Sequence, residues 1–493
     1  MKRHPRTLAI LLFVSALVAC AATATTEPTA TTEPTTTTEP TTTMTTPLDQ
    51  VSALANPYNV ALFMNERSDR YVNVNFELPT ADGGLVEWRP ASDPEAVAVA
   101  AAALKTTAVG RRTVHGYAAT IGPLEAGTAY EYRVRSVDSS ETDEWRRYVC
   151  PAAEPAEFSF AFFADPQEND QLGYMAFAHA FLSASAFSET EIDFGIFVGD
   201  VVNDHDDRTQ WNNFLRYASV FAFATPIAMT IGNHEHGAVS EDRMAAMEYD
   251  AYTHLPANGP IYEPFVELTD DRRPADVDDG KTYSFDYGGV HFVAIDTEIF
   301  CDGTTACAAY DHRNAQILAD WLIADLTAAA ADRIIVFMHR GPYSATYDSA
   351  NVRTTLPAIF EAFGVDLVLS GHDHQYSRAI YRQDASVPFG RANAYPLGTV
   401  TLLGSIEDAH FNDYPSSIGP TYLVGNTAGT KFYDAGDASG IDLQYVYGGN
   451  DPVIPIVTVT AEAIEVVSYV ILKDNPIDIV PVGVDVLERF VIR

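Results

Sequence analysis

Apolar positions along the chain follow four successive patterns. The first is one unbroken apolar run from Thr7 to Ala19, preceded by Lys2, Arg3 and Arg6. It has the length of a signal segment and is too short to span a bilayer comfortably. Residues 23–46 are almost entirely Thr, Pro, Glu and Ala, with Glu-Pro-Thr recurring at Glu27, Glu33 and Glu39. Nothing there can be buried, so this segment is expected to be extended or disordered. Next come period-two alternations bounded by turn residues: Tyr71–Phe76, Gly84–Trp88 and Thr113–Thr120. These predict strands of a small all-β unit. From residue 157 the pattern changes to short apolar runs at Phe158–Ala164, Ile192–Val198, Pro226–Ile231, His291–Ile295, Ile334–Met338 and Val365–Leu369. A helical pattern over Asp311–Ala331 lies between two of them, and strand alternating with helix predicts a layered α/β core. The tail alternates again at Ile456–Thr460 and Ile464–Val470, which predicts a terminal hairpin, and Phe490–Ile492 is a candidate further strand.

Five of the apolar runs in the core are followed by polar residues. Asp165-Pro166-Gln167 follows the first, Gly199-Asp200 the second and Gly232-Asn233-His234-Glu235 the third. His339-Arg340 follows Met338, and Gly371-His372-Asp373-His374 follows Leu369 after a single serine. Each of these motifs alone is a common turn. All five in order, each at a strand's carboxyl end, point to a site, because open α/β sheets bind ligands there. Asp, Asn and His supply hard oxygen and imidazole nitrogen donors suited to Mn, Fe or Zn. A carboxylate on a tight Gly-Asp turn can bridge two cations about 3.5–4 Å apart.

Composition narrows the partners. The chain has 493 residues, with 30 Lys and Arg against 67 Asp and Glu, a net charge of −37. That balance disfavours a nucleic-acid binder, which wants a basic footprint, and adsorption to anionic lipid. Lysine occurs only at positions 2, 105, 281, 431 and 473. An acidic, lysine-poor surface suggests adaptation to salt, which screens self-repulsion.

Leu17-Val18-Ala19-Cys20 resembles a bacterial lipoprotein signal, which implies cleavage before Cys20 and a lipid on its thiol. The alternative is secretion after cleavage near Ala22. Cys301 and Cys307 flank a five-residue loop and are either a local disulfide or two thiols, while Cys150 is left odd. Gly122–Val134, with Leu124-Glu125-Ala126-Gly127-Thr128 before Tyr130-Glu131-Tyr132, resembles a fibronectin-type-III-like corner and implies a sandwich of about 100 residues.

The ordered polar motifs resemble the calcineurin-like metallophosphoesterases. With the sandwich in front and His374-Gln375-Tyr376-Ser377-Arg378 behind, they resemble the purple-acid-phosphatase-like branch. The implied fold is an all-β N-terminal sandwich, an α/β (α+β) core built as a β-sandwich flanked by helices, and a C-terminal β extension. The implied division is signal 1–19, tether 20–47, sandwich 48–155, metallophosphoesterase domain 157–440 and β segment 441–493. Asp165, bridging Asp200 and His374 would hold one divalent metal. Asp200, Asn233, His339 and His372 would hold the other. Gln167 stands where the wider superfamily often has His and would be a weaker ligand or bind a water. His234 would stabilise or protonate the transition state. The implied reaction is in-line attack of a metal-bound hydroxide on a small phosphate monoester.

Asn203 replaces the tyrosine that gives the purple enzymes their colour, so a colourless protein with divalent metals is expected. Asn203, Arg340 and Tyr376 are secondary candidates for substrate contact, and His410 for the pocket wall. Glu235 and His236 are candidates for supporting the ligands, and His291 is expected to be a hydrogen-bonded core histidine. The tail is expected near the rim of the site. Alternative functions are phosphodiester hydrolysis on nucleotide or lipid head-group substrates, and a non-catalytic surface binding protein. Nucleic-acid polymers are not expected as partners, and membrane contact is expected only through Cys20.

Overall fold

The computed structural model describes residues 56, 58–109, 112–138, 143–236, 246–262, 281–300, 305–382, 401–402, 411–414, 419–433, 443 and 445–493. The signal, Cys20, the tether, Cys301, the Cys307 side chain and His410 lie outside them.

The N-terminal unit contains β1 (Ala61–Phe63), β2 (Val72–Leu78), β3 (Gly84–Pro90), β4 (Ala98–Val109), β5 (Arg112–Ile121), β6 (Ala129–Ser136) and β7 (Arg146–Val149). The long β4 makes it a sandwich. Ala98–Ala102 pairs with β3, while Ala103–Val109 pairs with β5 on the other side. One strand thus runs through both layers. The alternating positions Val74, Phe76, Val86, Tyr117, Tyr132 and Val134 meet between the layers. Each such buried side chain contributes roughly 1.5–3 kcal/mol. The corner before β6 is tied where Glu125 N donates to the Tyr130 hydroxyl at 2.9 Å.

The core adds β8 (Glu157–Phe163), β9 (Phe194–Val198), β10 (Ile227–Thr230), β11 (Tyr283–Tyr287), β12 (Val290–Ile295), β13 (Arg333–Arg340), β14 (Leu367–Gly371) and β15 (Tyr376–Arg382). It continues with β16 (Thr401–Leu402), β17 (Phe411–Tyr414), β18 (Thr421–Val424) and β19 (Tyr445–Tyr447). The tail supplies β20 (Val453–Thr460), β21 (Ile464–Leu472) and β22 (Gly483–Ile492). Two sheets result. One runs β17-β22-β21-β20-β8-β9-β10-β1-β2-β5-β4-β3-β6-β7, the other β11-β12-β13-β14-β18-β15-β16 with β19 beside β15.

The sheets pack face to face through aromatic residues. Phe194 meets Phe292 at 5.4 Å between ring centroids, edge to face, a geometry the ring quadrupoles favour. Helices cover the outer faces. Phe177, Phe181 and Phe221 of helices Gln171–Ser188 and Arg208–Ala222 pack on Phe163 and Phe197. Leu318 and Leu322 of helix Thr305–Ala328 pack with Val293 and Val336. Strands buried on both faces read as continuous apolar runs, which is why the core loses the period-two signature of the sandwich. Helix Gln171–Ser188 starts where the Asp170 carboxylate accepts from Leu172 N and Gly173 N, and stops at Glu189 with φ 54°.

Two features differ from the sequence expectation. The sandwich and the core share one sheet, because β1 pairs in parallel with β10 at Phe63 and Ile227. Tyr132 also donates to Phe223 O at 2.8 Å, and Lys105 to Thr253 O at 3.1 Å, across the same junction. Among the described residues, none of the tail lines the cleft. β20 pairs antiparallel with β8, Ile456 opposite Ala161, so the hairpin covers an edge that β8 would otherwise expose.

Candidate metal centre and its cleft

β8, β9 and β10 run parallel, as do β12, β13 and β14 in the facing sheet. The carboxyl ends of five of these strands meet at one end of the sandwich. Asp165 follows β8, Asp200 follows β9, Asn233 follows β10, His339 lies near the end of β13, and His372 and His374 follow β14. Asp165, Asp200, His372 and His374 have φ of 46°, 49°, 72° and 52°. A left-handed conformation is uncommon for residues other than glycine and costs on the order of 1–3 kcal/mol each. It turns each side chain inward. Glycine is required beside them: a Cβ on Gly371 would lie 2.6 Å from Asp165 Oδ2, and one on Gly232 would collide with the Asp200 carboxylate.

Asp200 belongs to two clusters. Its carboxylate groups with His339 and His372, and also with Asp165 and His374, with candidate ligand atoms within 4.8 Å of one another in each set. His339 Nε2 is 3.3 Å from Asp200 Oδ2 and 3.0 Å from Asn233 Oδ1. His374 Nε2 is 3.8 Å from Asp165 Oδ1. Backbone carbonyls fix the imidazoles. His339 Nδ1 donates to Val198 O at 2.8 Å, and His374 Nδ1 donates to Lys431 O. Both rings therefore aim Nε2 at the centre, as metal-binding imidazoles do. Gln167 is fully buried, with Nε2 at 2.9 Å from His374 Nε2 and 3.5 Å from Asp200 Oδ2. Its Oε1 has no hydrogen-bond partner among the described residues. Amide O and N are interchangeable assignments, and a half-turn presents the oxygen to the centre.

The electrostatics fit cations. Burial, and then the neighbouring Asp200, raise Asp165 well above the usual carboxylate range, while Asp200, against its own burial, is held low by His339. Burial disfavours the His339 cation, yet Asp200 and Asp165 push its pKa up to about 10. Burial lowers His374 to about 4. In the cation-free protein a proton on His339 would offset only part of the charge of the two carboxylates. Two carboxylates, three imidazoles, the Asn233 carboxamide and the Gln167 amide form a donor set that fits divalent ions and would release that proton on binding.

The surroundings hold this set in place. Glu235 is buried and accepts from Asp200 N, Val201 N, Val202 N and Gly232 N at 2.7–3.1 Å, which locks the Asp200 turn to the Asn233 turn. His236 Nε2 lies 3.2 Å from Asp296 Oδ2. His234 Nδ1 donates to Asn203 O at 2.6 Å, leaving Nε2 at 4.0 Å from Asp200 Oδ2 and facing the cleft. Asn203 therefore acts on His234 through its carbonyl. Its side chain accepts from Lys431 Nζ at 3.2 Å, and it does not line the cleft.

Arg340 does line the cleft. Glu298 grips its guanidinium at 2.6 and 2.9 Å, and Nη1 lies 3.0 Å from His372 Nε2. Tyr376 is misplaced by the sequence reading: it is fully buried between the sheets and donates to Glu488 Oε2 at 2.6 Å. The turn at His374 breaks the two-residue period before β15 begins. His291 is buried between Asp286 and Asp325, at 2.8 and 2.9 Å, away from the centre.

The cleft over the centre has a volume of about 520 Å³ and includes Tyr347, Tyr433 and Phe300. None of the three was expected from the sequence. No motif marks them, because each comes from a separate loop.

A sandwich of two sheets with this donor set at their joined strand ends defines a metallophosphoesterase-type core, and residues 158–376 match the calcineurin-like phosphoesterase family model. The chain carries a calcineurin-like phosphoesterase domain, and its homologues include purple acid phosphatases. Purple acid phosphatase 21 of Arabidopsis thaliana is 26% identical over 275 residues, covering 54% of this chain and 54% of that protein. An acid phosphatase of Aspergillus ficuum is 28% identical over 186 residues, 30% of this chain and 28% of that protein. The chain thus spans about half the length, or less, of these curated relatives. The structure of purple acid phosphatase PPD1 from yellow lupin seeds shares the fold, with a TM-score of 0.60 at 15% identity over 89% of this chain and 75% of that one.

Proposed function

We propose that this protein is a phosphomonoesterase dependent on two divalent cations. The observation that carries the reading is Asp200, one carboxylate shared by two converging donor sets. Asp165, Gln167 and His374 would hold one cation with it, and Asn233, His339 and His372 the other. Bound there, the cations would supply Lewis-acid charge to the phosphoryl oxygens and lower the pKa of water.

The chain's own groups do the rest. Arg340, oriented by Glu298, offers positive charge at the mouth of the centre to an anionic ester. His234 has its Nδ1 proton committed to Asn203 O, so Nε2, when protonated, is the atom placed to give a proton to the departing alkoxide. The strand-end turns fix the donors in advance, so little reorganisation is left for the reaction. Two dications against Asp165 and Asp200 leave a positive local balance that favours phosphate despite the net charge of −37.

The sequence of residues 1–20 supports export, with a lipid on Cys20 and the tether between membrane and enzyme. Elemental analysis beside a panel of monoesters and diesters tests the enzymatic reading. Less than one equivalent of metal and no hydrolysis after metal addition would favour a binding protein. Faster diester than monoester turnover would move the assignment to a phosphodiesterase.

A further inference from the structure

The Gly371-His372-Asp373-His374-Gln375 segment does two jobs on alternate residues. His372 and His374 face the centre. Asp373 and Gln375 face away and hold two loops. Asp373, nine-tenths or more buried, accepts from Thr346 N at 2.8 Å and Tyr347 N at 3.0 Å. Gln375 Nε2 donates to Tyr433 O at 2.9 Å. Each loop thereby delivers a tyrosine to the cleft. The Tyr347 ring lies over His372 with centroids 4.6 Å apart, and the Tyr433 ring stacks on His374 at 4.2 Å and 29°. The two phenols stand nearly perpendicular, 83° apart, with centroids at 6.1 Å. Tyr347 is 42% exposed, so its ring also has a surface open to solvent.

A phosphate seated on the carboxylate floor must send its leaving group out along this wall. The floor is charged, whereas the wall is aromatic; neither tyrosine is among the candidate ligands, although the Lys431 carbonyl, in the segment that carries Tyr433, also accepts from His374 Nδ1. A flat ring gains dispersion and offset stacking there that an alkyl group of similar polarity does not.

We propose that Tyr347 and Tyr433 form a stacking subsite that selects phosphate esters whose alcohol carries a flat aromatic ring, of the nucleoside or aryl kind. This rests on the phosphoesterase reading and names the substrate class for the same site.

The test avoids turnover, so that its outcome is separate from that reading. Manganese-treated protein is titrated by calorimetry with phenylphosphonate and methylphosphonate, whose carbon–phosphorus bonds are not hydrolysed. Phenylphosphonate is expected to bind about tenfold more tightly. The preference is expected to disappear in Tyr347→Leu and to persist in Tyr347→Phe. In turnover, the wild-type KM for adenosine 5′-monophosphate is expected below that for ribose 5-phosphate, which has the same reacting ester without the base. Equal phosphonate affinities in the wild-type protein overturn the proposal. So does a preference unchanged in both Tyr347→Leu and Tyr433→Leu. If the ring preference is present but no ester is hydrolysed, the subsite stands and the enzymatic reading fails.

Discussion

Asp165, Asp200 and His339 are as completely buried as Arg378 and Glu488, which lie between the sheets near the start of β15. The second cluster balances. Arg378 Nε and Nη2 are both 2.8 Å from Glu488 Oε1, Tyr376 donates to Oε2 at 2.6 Å, and Ser468 donates to the Tyr376 hydroxyl at 2.9 Å. One cation meets one anion, with every member on a strand. The first cluster does not balance. Two carboxylates share a protonated imidazole, a buried amide oxygen lacks a partner, and four backbones are left-handed. Both clusters pay for desolvation. Only the first combines a second buried carboxylate with left-handed backbones, an arrangement that a bound ion would settle, and that imbalance marks it as functional where the other reads as structural.

The largest expected effect follows from removing candidate ligands. Asn233→Ala and His372→Ala should each lower phosphatase turnover by about 10³-fold or more, at or beyond the upper end of the loss of a single oxyanion donor. Metal content, measured on the same samples, should fall from two equivalents toward one. Full hydrolysis in both variants would falsify the assignment.

Stability should show the opposite ranking. Glu488→Gln strands a buried guanidinium and should cost about 3 kcal/mol or more by urea denaturation. Asp165→Asn in chelator-treated protein removes one of two repelling carboxylates and should change stability by less than about 1 kcal/mol. A similar loss in both would mean that the two clusters are not different in kind.

His291 gives a third contrast: it too lies between two carboxylates, but the Asp286 side chain is exposed, so water screens the extra charge, and the cluster titrates in an accessible range. Burial opposes its charge, but Asp286 and Asp325 raise its pKa to about 9. The folded value lies above the unfolded one, so the stabilisation is complete below about pH 6.5 and is lost as pH rises through about 9. His291→Gln should therefore cost on the order of 2 kcal/mol near pH 6, after discounting the exposed Asp286 side, and little above pH 9. A deficit that does not change with pH would assign the cost to packing instead.

The converging donor set was legible in the sequence because each member sits within four residues of a strand end, and strand ends are signalled by local apolar runs. The layered strand-and-helix core was legible for the same reason, whereas its two-sheet form came from the family resemblance. Residues that reach the centre across distant loops carried no such signal. Tyr347 and Tyr433 arrive through hydrogen bonds made by Asp373 and Gln375, and Glu298 through its pairing with Arg340. Tyr376 was a candidate for substrate contact, but the strand after His374 carries its ring between the sheets, where it donates to Glu488. The merging of sandwich and core rests on the three-residue strand β1, too short to be distinguished by period.

Glu298 also bears on the contrast between the clusters, because its pair with Arg340 is balanced yet lies at the edge of the unbalanced centre. Its two carboxylate oxygens take Nε and Nη2, which fixes the plane of the guanidinium and turns Nη1 toward His372 and the cleft. If this pair only closes the wall, Glu298→Gln should lower stability and leave kinetics alone. If it orients Arg340 for the ester's anionic oxygens, the neutral amide keeps one hydrogen bond but loses the two-point grip, and the guanidinium swings. KM for a phosphate monoester should then rise about tenfold, as when about 1.4 kcal/mol of binding is lost, with turnover number little changed. Arg340→Lys should raise KM similarly, since an ammonium cannot reproduce the fork. A loss confined to turnover number would instead place Arg340 in transition-state stabilisation, closer in role to His234 than to a clamp on the substrate.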